Sequence, residues 1–173
     1  TMINVGGKSL DNPGLDIIGL ITGSEGTLAI ATKIILRIMP KNESVKTLLA
    51  IFNTVDDGAN AVSGIVKAGM VPATLEMLDN LAIRAVEAFY KIGLPVDAAA
   101  MLLIELDGLQ DGLDRLAEHV IEICKLNNVR EVTLAKTTAE RDQLWVARKG
   151  AFGATGRLRP NYLVNDGTVP RTK

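Results

Sequence analysis

Three side chains near the end of the chain have the types and the spacing to hold a small organic acid. Arg141, Trp145 and Arg148 stand at positions i, i+4 and i+7, so in an α-helix they share one face. An arginine beside an indole can be held by stacking and can present its planar guanidinium to a carboxylate. The spacing fits equally a solvated cationic helix face with the tryptophan as packing. Further basic residues follow in the same segment: Lys149, Arg157, Arg159 and Arg171.

A second candidate site is a glycine loop near the start of the chain, residues 22–30, with the sequence TGSEGTLAI. Gly23 and Gly26 flank Ser24-Glu25, a spacing that matches neither the Walker A pattern nor G-x-G-x-x-G. Glycine permits positive φ angles and the close approach of a planar ligand, and the polar side chains can satisfy loop or ligand amides. The pattern predicts either a ligand-permissive turn or a tight turn without a ligand.

The remaining reactive side chains offer little catalytic chemistry. The chain holds one histidine and one cysteine, so neither a disulfide nor a His-rich metal site can be built from it alone. The spacing of apolar neighbours predicts a helix-surface position for His119 and a core position for Cys124. Glu76 and Glu105 interrupt apolar strands, which fits either a cleft or a half-exposed sheet. No Ser-His-Asp or Cys-His set can be assembled.

The composition excludes some classes of function. Of the 173 residues, 47% are hydrophobic and 23% charged, as in ordinary globular proteins. The net charge of −1 creates no field that would favour nucleic acid or an anionic membrane. No uninterrupted apolar run approaches the roughly 20 residues of a membrane span.

The elements that position these candidates are short apolar runs and helical patterns. Residues 17–22 and 28–38 flank the glycine loop and predict a strand or short helix, then the loop, then a strand. A proline and a polar stretch place a boundary at residues 40–45. A capping box, T-x-x-E, predicts a last helix over residues 137–150.

Between the boundary and the last helix the pattern repeats. Residues 48–58, LLAIFNTVDDG, align with residues 102–112, LLIELDGLQDG, at an offset of 54 (102 − 48 = 54). Each copy predicts a strand, a helix and a second strand. The second strand is at residues 73–78 in the first copy and at residues 131–135 in the second. We predict an α+β fold in which a ferredoxin-like, duplicated βαβ unit places its helices on one face of a mainly antiparallel sheet. Chance similarity between short apolar strands is the alternative explanation of the repeat.

One long segment around the glycine loop resembles a known family. GLDIIGLITGSEGTLAIATKIILRIMP, residues 14–40, is similar to the closing segment of the flavin-binding domain in FAD-linked oxidases of the vanillyl-alcohol oxidase type. Ala29 stands where that family usually has glycine, which adds one methyl group. The resemblance implies that the loop lies against the flavin, with cofactor contacts at Gly23, Ser24, Glu25, Gly26, Thr27, Leu28 and Ile30.

The rest of the chain resembles the cap domain of the same family. Four motifs occur in the family's order: PATLEMLDNLAIRAVE, GLPVDAAAMLLIELDG, ERDQLWVARKGAF and DGTVPR. In relatives that act on 2-hydroxy acids, the arginine of the W-x-x-R pattern holds the substrate carboxylate, which implies substrate-binding roles for Trp145 and Arg148. The resemblance divides the chain into residues 1–40, the C-terminal segment of an FAD-binding domain, and residues 41–173, a cap domain. Both are expected to be incomplete.

The resemblance also implies parts outside these residues. Such enzymes have an upstream lobe that grips the FAD pyrophosphate and a downstream histidine-bearing segment, often with a bound metal. We therefore expect no catalytic base in this chain, FAD in the full-length protein, and neither flavin binding nor activity in this chain alone.

The function implied by the resemblance is that of an FAD-dependent 2-hydroxy-acid dehydrogenase, which oxidises glycolate or D-lactate to the 2-oxo acid by hydride transfer to flavin. The alternative is a non-catalytic ferredoxin-like module that senses a small acid or assembles with a partner. The expected partners are the acid and companion subunits of an oxidase complex. The protein is expected in the cytoplasm, and at the periphery of the inner membrane where such subunits attach it there. The apolar runs IIGLI and IILRI predict self-association of the isolated chain.

Overall fold

A computed structural model describes residues 1–7, 14–159, 161 and 163–167 of the chain. Arg171 and most of the DGTVPR motif lie outside the described residues. The chain divides into two compact units, Thr1–Pro40 and Lys41–Lys173.

The first unit contains a short helix, α1 (Ile17–Ile21). It begins at Asp16, whose carboxylate accepts a hydrogen bond from the Gly19 N–H at 2.8 Å. The strand predicted at residues 28–38 is wrong, because these residues form neither strand nor helix. A strand needs a neighbour to satisfy its backbone N–H and C=O groups, and the described part of this unit contains no other strand.

The second unit holds all the strands of the described chain and most of its helices. In chain order they are β1 (Ser44–Phe52), α2 (Val55–Lys67), β2 (Thr74–Asp79), α3 (Asn80–Tyr90), β3 (Ala100–Gly108), α4 (Gln110–Leu126), β4 (Val129–Leu134) and α5 (Thr138–Thr155).

The last helix illustrates how local sequence sets these boundaries. The Thr137 hydroxyl accepts from the Glu140 N–H at 3.1 Å, so the predicted capping box begins α5. The helix continues to Thr155, beyond the predicted end near Gly150. Gly150 lies inside the helix, and a Cβ there would fall on the Tyr90 ring of α3, so close packing accounts for glycine at this position. It is a packing glycine and does not end the helix.

The four strands form one sheet in the order β2-β3-β1-β4, and every neighbouring pair is antiparallel. Helix α2 connects β1 to β2, and α4 connects β3 to β4, which is the ferredoxin-like arrangement. The α+β prediction is confirmed. The two copies of the repeat supply the two central strands, and Leu49 lies directly opposite Leu103, 54 residues further on (103 − 49 = 54).

Helices cover both faces of the sheet. Successive side chains of β1 point to opposite faces. Leu48, Ala50 and Phe52 pack with α2 and α4 on what we call the α2/α4 face, and Leu49 and Ile51 pack with α3 and α5 on the α3/α5 face. The prediction of helices on one face is right for α2 and α4 and wrong for α3 and α5. The unbroken apolar run of β1 is the signal for this, since a strand with one solvated face alternates apolar and polar residues.

Candidate functional site

The α3/α5 face carries polar side chains among its apolar ones. Thr47 lies two residues before Leu49 on β1, so it points to the same face, and Glu105 of β3 lies directly opposite it. Glu76 of β2 lies two residues before Leu78, which belongs to the core of this face. The strands therefore present two carboxylates and a hydroxyl on the face that α5 covers.

Glu105 is the centre of a hydrogen-bond network that joins α5 to two strands. Its Oε2 accepts from Arg141 Nε at 3.0 Å, from Trp145 Nε1 at 2.8 Å and from Thr47 Oγ1 at 3.1 Å. Its Oε1 accepts from Arg141 Nη2 at 3.2 Å, so the Arg141 contact is bidentate. Glu105 is only 9% exposed, and a buried carboxylate is stable only when it is paired in this way. The network fixes the first turns of α5 to β3.

The charge of Glu105 follows from these contacts. Burial raises the pKa of Glu105, but the hydrogen bonds from Arg141, Trp145 and Thr47, with the Arg141 charge, outweigh burial and hold that pKa below its ordinary value of 4.5. The hydrogen bond to Glu105 raises the pKa of Arg141 in turn. Stability from the lowered carboxyl pKa is present above the unfolded value and is lost as the pH falls through the folded one. At neutral pH this is an ion pair.

Arg148, the predicted substrate-binding arginine, pairs with a carboxylate at a more exposed position. Its Nη2 donates to Glu76 Oε1 at 2.9 Å, and the two side chains are 44% and 37% exposed. A guanidinium carries five N–H donors. Arg148 makes no other hydrogen bond within the described part of the chain. Arg148 therefore keeps N–H donors that are not used by Glu76, and its side chain is accessible to solvent, so a carboxylate ligand can bind there.

Other charged residues of α5 surround Trp145. A shallow pocket of about 280 Å³ is lined by Arg141, Asp142, Trp145 and Lys149. Lys149 Nζ lies 5.8 Å from the centroid of the Trp145 ring, within range of a cation–π interaction. The indole is thus held by Glu105 at its N–H and by a cation at its ring.

In the first unit, the glycine loop has a backbone that only glycine adopts easily. The φ angle is 78° at Gly23, 80° at Gly26 and 50° at Glu25. A Cβ at either glycine would meet nothing within 4 Å, so space remains next to the backbone. The Thr27 N–H and hydroxyl both donate to the Ser24 carbonyl, at 2.9 and 2.6 Å, which holds the turn. The open backbone at the two glycines leaves room for a flat group against the loop.

The structure brings Arg141, Trp145 and Arg148 to one side of α5, against the α3/α5 face, as their spacing predicts. Their substrate-binding role stays a prediction. Sequence reasoning did not assign Glu105 and Glu76 as their partners. A signal was present, because a carboxylate within an apolar strand is seldom buried without a cation.

The other reactive side chains do not join this site. His119 is exposed and Cys124 is buried, as predicted, and burial raises the pKa of the Cys124 thiol to about 11. Among the described residues, no three His, Cys, Asp or Glu side chains are grouped to hold a metal ion. Within the same residues, we find no helix with the length and apolar character of a membrane span.

Sequence comparison establishes the class of the protein. Residues 41–173 match the family model for the C-terminal domain of FAD linked oxidases. The chain therefore belongs to this family.

Individual relatives are similar over nearly the whole chain. Glycolate oxidase subunit GlcD of Escherichia coli (strain K12) is 43% identical over 98% of this chain and 34% of that protein. GlcD of Bacillus subtilis (strain 168) is 43% identical over 99% of this chain and 37% of its own length. D-lactate dehydrogenase of Archaeoglobus fulgidus is 31% identical over 99% of this chain and 38% of its own length. The chain thus spans about a third of the length of these curated relatives.

A solved structure shows the same fold at low sequence identity. An alkyldihydroxyacetonephosphate synthase superposes with a TM-score of 0.59 and 16% identity, covering 86% of this chain and 30% of that one. At this identity the likeness concerns the fold alone.

Proposed function

We propose that this chain is part of an FAD-dependent dehydrogenase that oxidises a small 2-hydroxy acid, glycolate or D-lactate, to the 2-oxo acid. Residues 1–40 are the C-terminal segment of its FAD-binding domain, and residues 41–173 belong to its cap domain. The relatives named glycolate oxidase subunit and D-lactate dehydrogenase support this substrate class. The observation that carries the proposal is Arg148, an accessible guanidinium on a helix fixed to the sheet.

Arg148 binds the substrate carboxylate through a charge-assisted, two-point contact. This contact orients the α-carbon of the acid, and orientation of the reacting group is a large part of enzymatic rate enhancement. Trp145 supports the site from the neighbouring turn of α5, where Glu105 holds its indole N–H.

The residue that accepts the hydroxyl proton lies elsewhere in this proposal. His119 is exposed on α4, which covers the α2/α4 face, whereas Arg148 lies on the α3/α5 face. We therefore assign no catalytic base to these residues.

The glycine loop is proposed to contact the flavin. When bound, FAD supplies the hydride acceptor. Leu28 and Ile30 are 60% and 84% exposed, which supports a covering group, since exposed apolar side chains gain from burial. The proposed contact residues are Gly23, Ser24, Glu25, Gly26, Thr27, Leu28 and Ile30.

Companion subunits of an oxidase complex are the proposed partners, because two relatives are named as subunits. We place the assembly in the cytoplasm, at the periphery of the inner membrane through such subunits. Ile35 and Ile38 are both 88% exposed, which supports self-association of the isolated chain. Light scattering of the chain over a range of concentrations tests this.

The first experiment is an anaerobic absorbance titration of the complete flavoprotein with glycolate, D-lactate and L-lactate. Bleaching of the flavin band by glycolate or D-lactate is expected. Arg148→Ala should lower kcat/KM by roughly 30- to 1,000-fold, from a loss of about 2–4 kcal/mol in transition-state stabilisation. Arg130→Ala, which removes a different exposed arginine, is the matched control and should change little. A kcat/KM within threefold of wild type in Arg148→Ala would refute the assignment.

A second candidate is a small-acid binding module without chemistry. It is favoured by the second unit, whose two apolar cores give it the means to fold independently. Calorimetric titration of the 173-residue chain with glycolate, without flavin, separates the two. Saturable binding to this chain supports the module, whereas the flavoenzyme requires the complete protein.

A further inference from the structure

We propose that Glu76 is a positioning residue for the substrate carboxylate. It holds the Arg148 guanidinium by one corner and so aims the remaining N–H groups at the ligand. This inference rests on the proposed function, because it requires that Arg148 binds the acid.

Glu76 is presented by a fixed element. In β2 it lies opposite Leu103 of β3, and Leu78, two residues on, lies opposite Met101 in the core of the α3/α5 face. Register in a half-buried strand is strongly specified, so the backbone of Glu76 cannot slide along β3. Its short side chain therefore delivers the carboxylate to a defined place.

Arg148 needs such a partner. A long, 44% exposed side chain samples many rotamers and loses that freedom when it binds a ligand. The 2.9 Å bond from its Nη2 to Glu76 Oε1 restricts the guanidinium before the acid arrives. Part of the side-chain entropy that Arg148 would lose on ligand binding is therefore already lost in the free protein.

A residue that positions Arg148 must not compete with the ligand for the guanidinium, and the geometry of the Glu76–Arg148 contact meets this requirement. Both carboxylate oxygens of Glu105 accept hydrogen bonds from Arg141, so Glu105 occupies one edge of that guanidinium completely. Glu76 uses one oxygen and one nitrogen of Arg148, which leaves an edge of the guanidinium able to make a two-point contact. A carboxylate ligand can therefore join Arg148 without displacing Glu76.

The test compares Glu76→Ala and Glu76→Gln in the complete flavoprotein. Two readouts are used: KM and kcat for glycolate or D-lactate, and the dissociation constant of oxalate, a small acid with no α-hydrogen to transfer. We expect Glu76→Ala to raise KM and the oxalate constant at least fivefold. Glu76→Gln, whose amide oxygen still accepts from Arg148, should stay within threefold of wild type.

Asp97→Ala is the matched control. Asp97 accepts two hydrogen bonds from Arg130 at 2.8 and 3.1 Å in an exposed pair, so its loss removes an ion pair of the same kind from elsewhere on the unit. It should leave KM unchanged. If Glu76→Ala changes KM less than twofold, or lowers it, Glu76 does not position Arg148. A fall in melting temperature with KM unchanged would likewise show a merely structural role.

The two proposals fail in different ways. If neither glycolate nor D-lactate bleaches the flavin band, the proposed function is wrong, and if Arg148→Ala has no effect, the substrate-binding role of Arg148 is wrong. If Arg148→Ala abolishes binding and Glu76→Ala does not weaken it, only the role of Glu76 is wrong.

Discussion

The two faces of the sheet are built from the same strands and differ in kind. The α2/α4 face buries apolar side chains together with Cys124, and among the described residues its ion pair, Lys46–Asp114, lies at the exposed rim and not in the core. The α3/α5 face buries Glu105 within a network of four hydrogen bonds and carries the Glu76–Arg148 pair at its more exposed part. Side-chain alternation lets one face be closed by packing while the other holds charge at fixed positions. The comparison locates the buried charge on one face and purely apolar packing in the core of the other.

The largest expected effect comes from the buried carboxylate. Glu105→Ala leaves Arg141 and the Trp145 N–H without their acceptor, and we expect it to lower the free energy of unfolding by about 3 kcal/mol. Glu76→Ala removes a half-exposed pair and should cost at most about 1 kcal/mol. Urea unfolding of both variants of this chain measures the difference. Equal losses would contradict the distinction between a buried anchor and an exposed pair.

The next effect tests the helix crossing on the α3/α5 face. Gly150→Ala places a methyl group on the Tyr90 ring and should destabilise the chain by about 2 kcal/mol through overpacking. Gly153→Ala is the matched control on the same helix, because its Cβ would meet nothing within 4 Å. That control should be neutral or stabilising by up to about 1 kcal/mol, from helix propensity. The melting temperature should therefore fall in Gly150→Ala and stay the same or rise in Gly153→Ala.

The smallest effect comes from the α2/α4 face. Burial raises the pKa of Cys124 from 9.0 to about 11, so the unfolded state ionises first as the pH rises. Stability from the neutral thiol is complete well below pH 9 and is lost as the pH rises from about 9 to about 11, on the order of 1 kcal/mol of it by pH 10. Urea unfolding at pH 8 and pH 10 should show this loss in wild type and a smaller one in Cys124→Ala. Parallel losses in both proteins would show that Cys124 is not responsible.

The sequence predicted the parts of this arrangement that depend on local periodicity. Helical spacing placed Arg141, Trp145 and Arg148 on one side of α5, and the capping box placed the start of that helix. The offset of 54 identified the two central strands. These features need only neighbours within a few turns or a visible repeat.

Features that depend on strand order could not be predicted in the same way. Glu105 and Arg141 are 36 residues apart, and Glu76 and Arg148 are 72 apart, so their pairing appears only once β2, β3 and α5 are assembled. The strand predicted at residues 28–38 fails for a related reason, because apolar composition does not supply the neighbouring strand that pairing requires.

The pairing of Leu49 with Leu103 has a consequence for symmetry. Positions 54 residues apart exchange under a local two-fold rotation through that pair, and the counterpart of Glu105 is Ile51 (105 − 54 = 51). When α3 and α5 are matched at their first residues, 58 apart (138 − 80 = 58), the counterpart of Arg141 is Ile83 (141 − 58 = 83). Ile51 and Ile83 belong to the same apolar cluster. The backbone thus keeps its pseudosymmetry while one half joins helix to sheet through hydrocarbon and the other through charge.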